Sequence, residues 1–70
     1  MKEEAMSIME FEVYPEAQPP RVILNGEFYG DYLGPDLAKI DAVDAAEDRR
    51  KLGDEARVWV REHQSAARIF

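Results

Sequence analysis

The chain has 70 residues, no cysteine, and 15 acids against nine bases, a formal charge of −6. That length allows one domain, which buries only about 60% of the surface its unfolded chain exposes, and without thiols it has neither a disulfide staple nor a thiolate metal site. A net negative charge repels phosphate and so disfavours direct DNA or RNA binding, and no apolar run approaches the roughly 18 residues of a membrane span.

Hydrophobic residues make up 46% of the chain, enough for a folded core despite the charge. A single domain over residues 1–70 is expected, in a reducing cytoplasm that the lack of cysteine fits. Met1-Lys2-Glu3-Glu4-Ala5 is polar, the Met1 to Met9 stretch carries acids where a signal peptide needs a basic start and an apolar core, and residues 1–6 are expected to fray.

From Ile8 to Tyr14 apolar and acidic residues alternate, with Met9, Phe11 and Val13 on one face and Glu10 and Glu12 on the other. Period two predicts a half-buried strand. Pro15, Pro19 and Pro20 donate no ladder hydrogen bonds, so residues 15–20 are expected to form a loop. Arg21-Val22-Ile23-Leu24, then Asn25-Gly26, then Glu27-Phe28-Tyr29 reads as a hairpin, because Asn-Gly supplies the two positive-φ positions of a type I′ turn. Gly26, Gly30 and Gly34 do not compose a phosphate-binding GxGxxG loop.

Gly34-Pro35-Asp36 predicts a helix start, and Arg49, Arg50 and Lys51 followed by Gly53 predict its end, giving a helix over about Pro35 to Leu52. At 100° per residue Ala38, Ala42, Ala45, Ala46 and Leu52 share one side, while Asp41, Asp44 and Asp48 line another. Ile40 and Val43 fall away from the alanine stripe, so either the buried face is broad or a second apolar surface stays exposed. Arg57-Val58-Trp59-Val60-Arg61 alternates again and predicts a strand with Val58 and Val60 inward. A second helix from Asp54 to Gln64 is the rival, with Ala56, Val60 and His63 at helical spacing. Gln64-Ser65-Ala66 turns the chain, and Ala67 to Phe70 returns as a short edge strand. The expected class is α+β: a small antiparallel sheet of three to five strands with one helix packed on one face, in the order β-β-β-α-β.

No constellation supports catalysis. His63 is the only histidine and reads as a surface residue, Ser7 and Ser65 sit in no nucleophile context, and neither a cofactor nor a metal site is expected. Asp41 and Asp44 are of a type that serves as acid and base or binds Ca²⁺ or Mg²⁺, but on a continuous helix they are solvated and lack a pocket.

Charge is the more informative feature. Seven acids between Glu27 and Asp48 face only Lys39, which accounts for the whole −6, and the flanks cancel. Within this window Asp31, Asp36, Asp41, Asp44, Glu47 and Asp48 are the candidate partner-binding residues. Asp41, Asp44 and Asp48 repeat every three or four positions, roughly 4.5–6 Å of helix axis, comparable to the phosphate repeat of about 3.4 Å along one DNA strand. Such a stripe suits a basic groove built for nucleic acid, although a solvated helix face also carries charge of this kind. A second candidate surface is the outer sheet face, where Trp59 is expected beside Arg57 and Arg61 and with Ile23, Tyr29 and Tyr14. Ile23, Tyr29 and Trp59 are its candidates for self-association as a homodimer. Its plainer reading is Trp59 lying over arginine stems, with Glu10 or Glu12 paired to Arg57 or Arg61 across strands.

The whole-chain profile of small size, no cysteine, strong acidity and no enzyme motif resembles phage-encoded inhibitors of the anti-CRISPR class. The resemblance covers length, charge and acid placement and includes no shared motif, so no site residue is carried over. It implies a non-enzymatic inhibitor in the cytoplasm of a bacterial host, blocking the nucleic-acid channel of a CRISPR effector such as a Cascade-type complex. The alternative is a structural or regulatory adaptor that dimerises or docks through the Trp59 face.

Overall fold

A computed structural model describes residues 8–70, so the expected fraying of residues 1–6 lies outside the described residues. Strands β1 (Ile8–Tyr14), β2 (Arg21–Leu24) and β3 (Glu27–Asp31) precede helix α1 (Pro35–Lys51), and β4 (Glu55–Glu62) and β5 (Ser65–Arg68) follow it. The five strands form one sheet in the order β3-β2-β1-β4-β5, with α1 packed on one face, an α+β fold. The β1–β2, β2–β3 and β4–β5 pairs are antiparallel, as expected, but the central β1–β4 pair is parallel and makes the sheet mixed. The helix is the cause. It carries the chain back along the sheet, so β4 starts from the same end as β3 and β1.

Local chemistry accounts for most boundaries. Asn25 at φ 51° and Gly26 at φ 85° form the two-residue turn that joins β2 to β3. Pro35 opens α1 from an extended Gly34, Asp36 lies in its positive first turn, and Arg49, Arg50 and Lys51 lie in its negative last turn. Residues 55–62 are strand, which excludes the rival helix. The following turn is tighter than expected. His63 and Gln64, at φ 53° and 61°, close it alone, so β5 begins at Ser65 rather than Ala67.

The core lies between sheet and helix. Phe11, Val13, Val22, Ala56, Val58 and Val60 meet Ala38, Ala42 and Ala46, one alanine per turn, and among the described residues no polar side chain is buried with them. Alanine lets the helix axis approach the sheet closely. Val43 and Ala45 border the core, whereas Ile40 is 58% exposed, so both readings of the helix hold: the buried face is broad and a second apolar surface is left outside. Leu52, expected on the alanine side, is instead exposed at the C-cap, where the chain leaves the helix. Arg50 closes this end by donating to the carbonyls of Ala56 (2.9 Å) and Phe70 (2.7 Å), with its guanidinium 3.9 Å from the Phe70 ring centroid.

Candidate functional site

The acids of α1 occupy its outward half. Asp36, Asp41, Asp44, Glu47 and Asp48 are all exposed, with Asp41, Asp44 and Asp48 in an arc of about 60° and Glu47 and Asp36 beside it. Asp31 does not join them. It ends edge strand β3 as the register partner of Arg21.

The arginines at the end of α1 are drawn elsewhere, whereas Lys39 and Lys51 remain on the helix and make no salt bridge among the described residues. Arg49 pairs with Asp54 at 2.5 Å and Arg50 is bound to backbone carbonyls, so two of the three cations in the last turn of α1 are turned toward β4 and the C-terminus. Arg57 pairs with Glu10 at 2.7 Å and with Glu55 at 3.2 Å, and Arg61 pairs with Glu12. Among the described residues no salt bridge involves any acid of α1. The exception in hydrogen bonding is Asp41, whose carboxylate accepts the Tyr32 hydroxyl at 2.6 Å. Burial pushes the Tyr32 phenol above its ordinary value, and the hydrogen bond to Asp41 and that carboxylate's charge push it in the same direction. Asp41 is therefore tied to the fold, and Asp36, Asp44, Glu47 and Asp48 are the acids of α1 without a side-chain partner among the described residues.

Apolar side chains interleave with these acids. Leu37 is 52% exposed within the arc, Ile40 lies beside Asp44 and Glu47, and Leu33 precedes the helix fully exposed. This face therefore presents aliphatic contact area as well as charge. Sequence periodicity locates Ile40 as an outlier but does not single out Leu33 and Leu37.

The opposite face of the sheet is built differently. Register aligns Phe28, Ile23, Glu12, Trp59 and Arg68 in one row across all five strands. Glu10 accepts from Arg57 at 2.7 Å and from the Trp59 indole at 3.1 Å, which fixes the indole edge against β1. Tyr29 is not on this face. Around a two-residue turn Leu24 faces Glu27 and Ile23 faces Phe28, so Phe28 takes the expected place of Tyr29. Tyr29 instead sets its ring edge-on to Phe11, on the helix side, with centroids 5.5 Å apart. Among the described residues Glu10 and Glu12 pair with Arg57 and Arg61 on this face, and Ile8, Ile23, Phe28 and the Trp59 ring are its large apolar groups.

No family model matches the chain, and no curated protein or solved structure matches it significantly. Among the described residues no helix is long and apolar enough to cross a membrane.

Proposed function

We propose that this is a non-enzymatic binding protein whose α1 outer face docks on a basic protein surface, most concretely a groove built to hold nucleic acid. One observation carries the reading. Arg49 and Arg50 are committed to Asp54 and to backbone carbonyls, so the five acids of α1 are opposed on the helix only by Lys39 and Lys51, and its outer face is net negative. A fixed row of carboxylates attracts a cationic groove and steers encounter with it, and Leu37 and Ile40 supply short-range contact once it is seated. The resemblance to anti-CRISPR inhibitors supplies the specific case, a CRISPR effector whose DNA channel is occupied in this way.

The test is charge reversal at Asp44 and Asp48, with Asp41 left in place to hold Tyr32. The wild-type chain is expected to displace DNA from a Cascade-type effector in a mobility-shift assay, less effectively as salt rises, and Asp44→Lys/Asp48→Lys to lose that effect while melting within about 2 °C of the parent. Displacement by the double variant equal to that of the parent would sink the proposal, as would a wild-type chain that leaves the DNA bound.

The row of Phe28, Ile23 and Trp59 favours a second reading, an adaptor that dimerises or docks through the outer sheet face. Phe28 is 65% exposed and stands on an edge strand. Under that reading Phe28→Ser or Trp59→Ala lowers the mass measured by light scattering, and salt has little effect. A monomeric wild-type chain removes the homodimer.

A further inference from the structure

At the end of the sheet, the turn between β4 and β5 meets the loop that follows β1 beside an open cleft lined by Tyr14, Glu16, Arg61, Glu62, His63 and Ser65. We infer that this cleft binds a divalent transition-metal ion of borderline softness, zinc foremost, through Glu16, Glu62 and His63. The inference is independent of the role proposed for α1.

The geometry supplies the donor set. One ligand atom from each of the three residues lies within 4.8 Å of the other two, and these are the only residues so grouped among those described. His63 Nε2 stands 3.1 Å from Glu16 Oε2. In a tetrahedral site with bonds of about 2.0–2.2 Å, neighbouring donors are about 3.3–3.6 Å apart, so this pair is already near the required separation and the third donor needs to close by no more than about 1.5 Å. The donors come from separate places in the fold: the loop after β1, the last residue of β4, and the turn itself.

The surroundings hold the donors in place. The His63 backbone N–H donates to Glu16 Oε1 at 3.3 Å, orienting the carboxylate whose other oxygen faces the imidazole. Ser65 Oγ donates to the Glu62 carbonyl at 3.0 Å and steadies the turn. Arg61, the cation lining the cleft, is turned to Glu12, which neutralises it. One imidazole with two carboxylates suits zinc and its first-row neighbours, whereas Ca²⁺ takes six to eight oxygens and Mg²⁺ demands a near-ideal octahedron of them. Three protein donors facing a cleft leave a fourth position open to water or a small ligand.

The experiment uses the 70-residue chain with metal alone. Calorimetry should give one Zn²⁺ per chain, Co²⁺ should develop visible d–d bands, and the melting temperature should rise by about 10–20 °C at Zn²⁺ a hundredfold above Kd, with no rise in Mg²⁺. His63→Asn removes the imidazole while keeping a residue that tolerates positive φ, so the turn survives. In this variant the cobalt bands and thermal shift should vanish, and Glu16→Gln should weaken both at least tenfold. Absence of stoichiometric Zn²⁺ binding, or binding that persists in His63→Asn, overturns the assignment.

Discussion

Replacing Tyr32 by Phe separates the acid of α1 that belongs to the fold from those that are free. The Tyr32 hydroxyl lies 2.6 Å from Asp41, within the roughly 2.5–2.7 Å range of a hydroxyl donating to a carboxylate. Hydrogen bonds to charged groups contribute about 1.5–3 kcal/mol, and because both partners reach solvent here, screening reduces this one to about 1 kcal/mol. In a domain of this size that corresponds to a fall in melting temperature of about 4–8 °C. A double-mutant cycle of Tyr32→Phe with Asp41→Ala, followed by urea unfolding under circular dichroism, should return a coupling of about 0.5–1 kcal/mol. The same cycle with Asp44→Ala should return less than about 0.3 kcal/mol. Equal couplings would refute the distinction between the two acids. Alkaline pH gives a second readout. The folded phenol titrates above the unfolded value of about 10, so its contribution is intact below that pH and is lost as pH rises above it. Tyr32→Phe should remove that part of the alkaline decline.

Ala42→Leu should destabilise by about 1–3 kcal/mol in urea, because the helix must retreat from the sheet and loosen Ala38 and Ala46 with it. A variant as stable as its parent would show that α1 does not sit close. Glu10→Ala strips the acceptor from both Arg57 and Trp59, at about 0.5–1 kcal/mol after screening, and should shift Trp59 fluorescence to the red as the indole gains water. Gly26→Ala, at φ 85°, should cost about 1–2 kcal/mol in equilibrium unfolding.

The parts of the fold written in local pattern were legible in the sequence. Alternation around Phe11 and Val58 placed two strands and their buried sides, Asn25-Gly26 placed a turn, and Pro35 with the basic cluster bounded the helix. Alternation says which side a residue faces and nothing of which strand lies beside it, so the parallel pairing of β1 with β4 was not available. The turn after β4 is expected at Gln64-Ser65-Ala66 and lies at His63-Gln64, because no glycine or Asn-Gly pair marks its two positive-φ positions in the sequence. Tyr29 was assigned to the wrong face because the two-residue turn pairs Ile23 with Phe28. For the acidic face, helical period grouped Asp41, Asp44 and Asp48. The Tyr32 bond to Asp41 and the diversion of arginines to β1 and Asp54 depend on tertiary placement, which no local pattern carries.

The parallel pairing at the centre of the sheet bears on how the chain is made. One edge of β1 is completed early by β2, but the other waits for β4, with Ile8 opposite Glu55 and Glu10 opposite Arg57, 47 positions later. Until α1 and β4 have emerged, β1 presents an open edge and an uncovered apolar face, a template for pairing with another nascent chain. In that interval Glu10 and Glu12 stand unneutralised along the strand and act as gatekeepers, discouraging association by their charge. When β4 docks, Arg57 and Arg61 cancel those charges. The same two carboxylates thus guard the half-built sheet and then fasten its final strands.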